Sequence, residues 1–180
     1  FILSVGHLEP RKNYENLINA FEKVQIQKQF ENLHLVIVGK KSFGYRNVLD
    51  LVARNSSILY TDFVDDEVLL WLYKNAELFI FPSIYEGFGF PPLEAAALGT
   101  PSVVSSVSSI PEICGDAAIY FDPTDVDDIA NKIIQALQIP KSDNGIQKRL
   151  QNNLNRFSWK QNAEETLSCY KEIYRYTVNK

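Results

Sequence analysis

The sequence has little cysteine, no excess of basic residues and no long apolar run, and each shortage excludes a class of protein. Cys114 and Cys169 are too few for a disulfide framework, and neither lies in a metal-ligand spacing. A net charge of −4 excludes the basic field of a protein that binds nucleic acid or an anionic membrane. No apolar stretch approaches the roughly 20 residues of a membrane span. We therefore expect a protein of a reduced, cytoplasmic compartment.

Methionine is absent altogether, including the one that would start translation. Phe1 already belongs to a strand-like run, so we expect the chain to be a fragment that begins inside a larger protein. Its 180 residues are 46% apolar, which is enough for the core of one domain. The prediction is a single domain over residues 1–180.

What is present is a regular alternation of short apolar runs and amphipathic stretches. The predicted strands are residues 1–6, 33–39, 58–63, 78–83, 101–106 and 117–122. The predicted helices between them are residues 14–29, 45–55, 67–75, 92–98 and 126–137. Residues 35–38 are apolar throughout, as in a parallel strand covered on both faces. The alternation predicts an α/β fold with a doubly wound, Rossmann-like parallel sheet of about six strands flanked by helices.

The pattern changes after residue 137. A polar break at residues 140–143 precedes an amphipathic stretch over residues 146–155. A last helix follows through about Tyr176, with Ser158 as its N-cap. We expect these C-terminal helices to pack at the end of the domain, and we interpret Trp159 and the tyrosines near the C-terminus as packing residues rather than a sugar-binding platform.

Two carboxylates eight residues apart are the most informative pair in the chain. Glu86 follows the fourth strand-like run, and Glu94 is expected in the first turn of a helix that Pro91 or Pro92 opens. Gly87 and Gly89, between the carboxylates, let backbone amides approach a ligand closely. The segment therefore offers acceptors for hydroxyl groups and donors for an anion, as a nucleotide sugar requires.

Arg11 and Lys12 lie between the first strand and the first helix, with Asn13 as the predicted N-cap. Two cations just ahead of the positive end of a helix are favourable if an anion lies between them. Arginine binds a diphosphate bidentately and lysine binds it as a point charge. We interpret the pair as a diphosphate site; the alternative is that both side chains point into solvent.

Weaker signals lie elsewhere. Residues 62–64 end the third strand, where backbone groups could meet a base edge, whereas Gly39 and Lys40 are consistent with a strand end and a solvated side chain. Residues 125–127 have the Asp-x-Asp motif of metal-dependent transferases, but acidic residues are favoured at a helix N-terminus even without a metal. His7 could either line the site or be merely exposed.

Together these residues resemble the C-terminal, donor-binding domain of GT-B glycosyltransferases, specifically the large retaining family 4 (group 1). The resemblance covers essentially the whole chain. Its carriers are residues 6–13, 62–64, 86–94, 99–104, 108–113 and 157–159. It implies one half of a GT-B fold, which binds a nucleotide-diphosphate sugar and transfers the sugar with retention, without an essential metal or other cofactor.

The resemblance also implies a role for each matching residue. Arg11 and Lys12 would bind the donor diphosphate, Glu86 would contact the transferred sugar, and Glu94 would hold the ribose hydroxyls. Arg11, Lys12 and Glu86 are thus the predicted catalytic residues. The complete predicted donor site is Gly6, Arg11, Lys12, Val64, Glu86, Gly87, Phe88, Gly89 and Glu94, with Val64 near the base and the amides of the turn near sugar and phosphate.

The motif sequences are most similar to those of bacterial mannosyltransferases of surface-polysaccharide assembly. GDP-mannose is therefore the first expected donor and a UDP-sugar the next. In the family a preceding N-terminal domain binds the acceptor, here expected to be a glycan or lipid-linked molecule, and members often work at the cytoplasmic face of the membrane. That domain is not in this chain, so we expect the chain alone to bind nucleotide without transferring sugar.

One departure and several alternatives stay open. Many family members have glycines where this chain has Ser108 and Ser109, which leaves the local loop conformation open. A nucleotide-sugar 2-epimerase and a sugar phosphorylase share the two-domain plan, and a phosphorylase would need a lysine that holds pyridoxal phosphate. A non-catalytic nucleotide-binding or interaction module is the alternative from another class.

Overall fold

All six strands of the sheet run parallel in the computed structural model, which describes residues 1–178. The strands are β1 (Ile2–Val5), β2 (Leu35–Val38), β3 (Ile58–Thr61), β4 (Leu78–Phe81), β5 (Ser102–Ser105) and β6 (Ala118–Phe121). Their order across the sheet is β3-β2-β1-β4-β5-β6. The short strands are largely apolar and buried, as parallel strands covered on both faces must be.

Helices cover both faces of the sheet. They are α1 (Tyr14–Gln25), α2 (Arg46–Val52), α3 (Asp66–Asn75), α4 (Phe90–Ala97), α5 (Ile110–Cys114), α6 (Val126–Leu137), α7 (Asn144–Leu154) and α8 (Trp159–Val178). One core contains side chains of α1, α2 and α6, and alternate strand residues such as Ile37 and Ile80 point into it. The other contains side chains of α3, α4 and α5 with Val36 and Phe79. The doubly wound α/β prediction is confirmed.

The differences from the predicted elements are small and local. Helix α1 ends at Gln25, and a separate 3-10 turn over Lys28–Phe30 accounts for the longer predicted helix. Helix α4 begins at Phe90, two residues before the predicted start. Helix α5, of only five residues, was not predicted, because so short a stretch shows no helical periodicity.

The winding of the sheet reverses between β1 and β4. Strand β1 pairs with β2 on one side and with β4 on the other. Ile2 of β1 aligns with Leu35 of β2 and with Leu78 of β4. The connections that follow the two central strands therefore diverge to opposite faces and leave a crevice at their carboxyl ends. In open α/β sheets that crevice is where ligands bind.

Two glycines bring the carboxyl ends of β1 and β2 unusually close. A Cβ atom placed on Gly39 would lie 2.1 Å from the carbonyl oxygen of Gly6, so no side chain fits there. A Cβ atom on Gly6 would lie 3.1 Å from both the Lys12 side chain and the Tyr14 hydroxyl. The glycine after β2 thus has a packing role beyond ending the strand, and Gly6 leaves room for the buried stem of Lys12.

Asn13 joins three loops rather than capping α1. It occupies the N-cap position with a φ of 58°, but its side chain makes no bond to the helix. Instead its Nδ2 donates to the carbonyl oxygens of Pro82 at 3.1 Å and Pro123 at 2.8 Å. The predicted side-chain cap is therefore wrong, and the residue ties the loop after β1 to those after β4 and β6.

The two C-terminal helices differ in their packing. Helix α7 packs against α4 through a small core that includes Ala96, Ile146 and Leu150. Helix α8 is exposed along its described side chains, and Trp159, Leu167 and Ile173 are 79%, 52% and 62% exposed. Packing at the end of the domain is confirmed for α7, whereas beyond Trp159 the interpretation of Tyr170, Tyr174 and Tyr176 as packing residues is wrong. Within residues 1–178, no helix combines the length and apolar character needed to cross a membrane.

Replacing Asn13 with alanine should lower the free energy of unfolding by about 2–5 kcal/mol. The variant loses two hydrogen bonds, each worth roughly 0.5–1.5 kcal/mol, and keeps a left-handed backbone that costs alanine roughly 1–2 kcal/mol. Asn13→Gly is the matched control, because it loses the same bonds without the backbone cost. Urea denaturation should rank the chains as wild type, Asn13→Gly, then Asn13→Ala; equal stability of all three would contradict the role of the Asn13 amide.

Candidate functional site

The loops that follow β1 and β4 meet at the reversal of the sheet. The first contains a 3-10 turn over Pro10–Lys12, and the second leads from Pro82 to the glycine-rich turn before α4. The amide of Ile84 donates to the carbonyl oxygen of Arg11 at 2.8 Å, so the two loops are joined directly. Arg11, Lys12 and Glu86, predicted as one site from distant parts of the sequence, are brought together here.

Glu86 bridges the two predicted phosphate-binding cations. Its Oε1 lies 2.5 Å from Nζ of Lys12, and its Oε2 lies 2.8 Å from Nη1 of Arg11. Lys12 is buried, with its Nζ 4.9 Å from the centre of the Phe81 ring. Arg11 is partly exposed, and its other terminal nitrogen, Nη2, is 2.6 Å from Glu9. The alternative of two cations pointing freely into solvent is wrong, since both are held by carboxylates.

The ion pairs set the protonation of Glu86. Burial alone would raise the pKa of its carboxyl, but the hydrogen bonds from Lys12 and Arg11 and the charge of Lys12 outweigh burial and lower the pKa. The nearby Ser83 hydroxyl is buried without a hydrogen-bond partner in the described chain, so we attribute the lowered pKa to the two cations rather than to Ser83. Glu86 is therefore a stable anion.

The glycine-rich turn leads from Glu86 into α4. Gly89 is the N-cap of α4 with a φ of 111°, a conformation that favours glycine. At Gly87 an added Cβ atom would have no neighbour within 4 Å, so the turn is open on that side. Within the described chain, the amides of Gly87, Phe88 and Gly89 donate to no protein acceptor. The turn thus presents three free amides beside the ion-pair cluster.

Glu94 lies in the second turn of α4, not the first, because the helix begins at Phe90. The Tyr73 hydroxyl, from α3, donates to Oε2 of Glu94 at 2.8 Å. Burial, followed by the negative charge of Glu94, raises the pKa of Tyr73, so the hydroxyl keeps its proton and remains a donor. Tyr73 and Glu94 line a cavity of about 370 Å³ between α3 and α4, together with Leu69 and Leu70.

Val64 and Gly6 complete the predicted set. Val64, between β3 and α3, packs against the same core as Tyr73. No described residue bonds to its backbone amide or carbonyl group, which leaves both available at this edge of the sheet. Next to it, Nζ of Lys40 lies 4.9 Å from the centre of the Phe63 ring. Gly6 ends β1, and its carbonyl oxygen accepts a 2.9 Å hydrogen bond from Tyr14.

Four residues of the site were missed by sequence reasoning. Glu9 binds Arg11, Tyr73 holds Glu94, and the hydroxyls of Ser108 and Ser109 bond to the backbone of the glycine-rich turn. The only available signal was the two serines at positions where the resemblance led us to expect glycine. A tyrosine in the middle of an amphipathic helix gives no sign that its hydroxyl reaches a carboxylate.

The structure places the Asp-x-Asp motif and His7, which were the weaker sequence signals, as follows. Asp125 caps α6 by accepting hydrogen bonds from the amides of Asp127 and Asp128, which explains the Asp-x-Asp motif. Among the residues described, His, Cys, Asp and Glu side chains form no cluster of three or more suited to a metal ion. His7 is exposed, and a role for it in lining the site stays a prediction.

An aromatic cluster adjoins the glycine-rich turn. Phe88 contacts Phe90 and Phe157 with ring centres 4.7 and 5.9 Å apart, and Trp159 stacks on Phe90 at 6.4 Å. These side chains line a hollow of about 500 Å³ where α8 leaves the domain. The start of α8 is therefore the one part of that helix that contacts the site within the described chain.

The fold and the site together define the class of this domain. A parallel sheet in the order 3-2-1-4-5-6, with cations and free amides at its reversal, is a Rossmann-like domain suited to a phosphate-bearing ligand. A family model described as glycosyl transferases group 1 matches residues 1–169. The chain belongs to this family, as the sequence predicted.

Relatives support the same assignment. The chain is 36% identical over 174 residues to O-antigen chain mannosyltransferase B of Escherichia coli, covering 95% of this chain and 45% of that protein. It is 29% identical over 177 residues to MMP alpha-(1->4)-mannosyltransferase of Mycolicibacterium hassiacum, covering 91% and 40%. This chain thus spans somewhat less than half the length of these two relatives.

A solved structure confirms the fold. An alpha,alpha-trehalose-phosphate synthase (UDP-forming) from Burkholderia vietnamiensis superimposes with a TM-score of 0.86 at 13% identity, covering 98% of this chain and 44% of that one. At this identity the likeness shows the fold alone. It agrees with the prediction of one half of a GT-B arrangement.

Replacing Glu86 with glutamine should remove a pH-dependent part of the stability. Because the pKa of Glu86 is lowered in the folded chain, the ionised carboxylate stabilises the fold fully above the ordinary glutamate pKa of about 4.3. That contribution is lost as the pH falls through the folded-state pKa. The difference in free energy of unfolding between wild type and Glu86→Gln should therefore shrink between pH 7 and about pH 3.

Urea denaturation at several pH values measures this difference. Glu31→Gln, which removes an exposed carboxylate with no ion pair in the described chain, is the matched control. A Glu86→Gln difference that stays constant down to the acid limit would contradict stabilisation by the two cations.

Replacing Tyr73 with phenylalanine should lower the free energy of unfolding by about 1.5–3 kcal/mol, the usual value of a hydrogen bond to a charged group. The cost should largely vanish in a Glu94→Ala background, where the acceptor is gone. Tyr60→Phe is the control, since its 2.9 Å bond goes to the neutral carbonyl oxygen of Gly39 and should cost about 1 kcal/mol. Additive effects of Tyr73→Phe and Glu94→Ala in denaturation would show that the two side chains are not coupled.

Proposed function

We propose that this chain is the donor-binding half of a retaining hexosyltransferase that uses a nucleotide-diphosphate sugar. The observation that carries the proposal is the junction of Arg11, Lys12 and Glu86 with the free amides of the turn, at the reversal of the sheet. Two cations and a row of amides suit a diphosphate, and a carboxylate suits sugar hydroxyls. The family membership supports the same function.

The donor would lie across the crevice in an extended form. Its base would meet the backbone of Val64, and its ribose would enter the cavity between α3 and α4. Glu94 has one oxygen bonded to Tyr73, which leaves the other to accept from the ribose hydroxyls. The diphosphate would then reach Arg11 and Lys12, beside the turn.

The ion pairs of Glu86 imply an exchange of partners when the donor binds. In the structure both cations are neutralised by carboxylates. A bound diphosphate would take over these cations and release Glu86 to accept from a hydroxyl of the transferred sugar. During departure of the diphosphate, Arg11 and Lys12 would stabilise its growing charge, an electrostatic contribution that often dominates catalysis.

We propose GDP-mannose as the first donor to test and a UDP-sugar as the next. The names of the mannosyltransferase relatives support mannose, while the UDP-forming synthase that shares the fold supports testing uridine nucleotides. The relatives named above give no support to an epimerase or a phosphorylase. We further propose that no metal or other cofactor takes part.

The whole protein would include a second domain that binds the acceptor. This proposal follows from the coverage of the relatives, of which this chain accounts for about half. A glycan or lipid-linked acceptor, and a site of action in the cytoplasm at the membrane surface, are proposed by analogy with surface-polysaccharide assembly. The two unpaired thiols of Cys114 and Cys169 are consistent with that reduced compartment.

Calorimetric titration of the chain with GDP, UDP, ADP, GDP-mannose and UDP-glucose tests the proposal. One nucleotide should bind saturably, and Glu94→Ala or Arg11→Ala/Lys12→Ala should weaken it by about 10- to 100-fold, the value of one or two charge-assisted hydrogen bonds. Asp127→Ala, on the surface of α6, is the matched control and should bind like wild type. Failure to bind any of the five at millimolar concentration, or unchanged affinity in both site variants, would overturn the assignment.

A further inference from the structure

The loop before α5 holds the glycine-rich turn by side-chain hydrogen bonds. The Ser108 hydroxyl donates to the carbonyl oxygen of Glu86 at 2.7 Å and lies 3.2 Å from the Glu86 amide as an acceptor. The Ser109 hydroxyl lies 2.9 Å from the carbonyl oxygen of Glu86 and 2.8 Å from that of Phe88, and it shares its one hydrogen between them. Two serine side chains therefore anchor three backbone groups of the turn.

Ser108 adopts a backbone conformation that serine rarely takes. Its φ is 59°, and the only other non-glycine residue with a positive φ in the described chain is Asn13. A left-handed serine is strained, and such residues persist where the surroundings hold them and are concentrated at functional sites. Here the conformation places the hydroxyl against both polar groups of Glu86. A glycine would adopt the same φ without strain but would make neither bond.

The orientation of the carbonyl groups decides where the amides point. In a planar trans peptide the C=O and N–H bonds point in opposite directions. The carbonyl of Glu86 faces both serines, so the amide of Gly87 points away from them. The carbonyl of Phe88 faces Ser109, so the amide of Gly89 points away from Ser109. Neither amide has an acceptor within the described chain, although Gly89 is buried. Buried amides are almost always paired, so that of Gly89 is suited to a ligand acceptor.

We propose that Ser108 and Ser109 are positioning residues that fix the amides of Gly87 and Gly89 as donors to the diphosphate end of the bound donor. The inference rests on the proposed function and adds to it residues that touch no ligand themselves. The hydrogen bonds of the two serines orient the peptide groups of the turn, which its flexible glycines alone would not do. They also fix the backbone of Glu86, whose side chain binds both cations.

The test uses inorganic pyrophosphate as the probe, followed by two-dimensional ¹H–¹⁵N NMR of the 180-residue chain. In wild type, the amide signals of Gly87 and Gly89 should move on titration. Ser109→Ala should bind pyrophosphate about five- to tenfold more weakly, since an unanchored turn must be ordered by the ligand. Ser109→Thr keeps the hydroxyl and should restore wild-type affinity. Ser142→Ala, the same change on an exposed segment, is the matched control.

A second pair of variants separates strain from hydrogen bonding. Ser108→Gly removes the bonds and the backbone strain, whereas Ser108→Ala removes the bonds alone. Both should weaken pyrophosphate binding to a similar degree, while Ser108→Ala should unfold at lower urea concentration. In the ligand-free chain, ¹⁵N relaxation should show greater motion of residues 87–89 in Ser109→Ala than in wild type or Ser109→Thr.

The outcomes distinguish this inference from the function on which it rests. If wild type binds pyrophosphate and Ser109→Ala binds it equally well with an equally rigid turn, the positioning role is wrong and the donor site stands. If Gly87 and Gly89 do not respond while Arg11 and Lys12 do, the amides are not the donors proposed. If wild type binds neither pyrophosphate nor any nucleotide, the proposed function itself is overturned.

Discussion

The reversal of the winding direction between β1 and β4 is the constraint on which the rest of the structure depends. Parallel strands need crossover connections of one hand, so the helices before and after the reversal must lie on opposite faces. Only there do two loops diverge and leave backbone and side chains free to face a ligand. Gly39 packed on Gly6, and the Asn13 amide between Pro82 and Pro123, hold these loops in place.

The site is built in two layers of polar contact. Arg11, Lys12 and Glu86 hold one another at the crevice, while Glu9 binds Arg11 and Tyr73 binds Glu94 from outside this group. Lys12 is almost fully buried, and a buried cation is stable only with a partner, which Glu86 supplies. The supporting layer includes Ser108 and Ser109, whose hydroxyls bind the backbone of the glycine-rich turn.

The sequence predicted the fold, and it predicted that Arg11, Lys12 and Glu86 lie together, because both depend on local patterns. Alternating apolar runs fix the strands, and glycine, proline and charge mark the loops at their carboxyl ends. The supporting contacts were not predictable, since they join residues far apart in the chain. The bond of Tyr73 to Glu94 spans 21 residues, and that of Asn13 to Pro123 spans 110. Helix α5 was missed for its shortness, and α8 was assigned to packing because its apolar spacing resembles that of a buried helix.

The paired charges at the crevice have a kinetic consequence. Arg11 and Lys12 carry two positive charges, Glu9 and Glu86 carry two negative ones, and the cluster is neutral as a whole. With a net charge of −4 on the chain, no long-range field attracts an anionic ligand from solution. Capture of such a ligand therefore proceeds without electrostatic acceleration. The attraction begins at contact, when the ligand displaces a carboxylate from its cation.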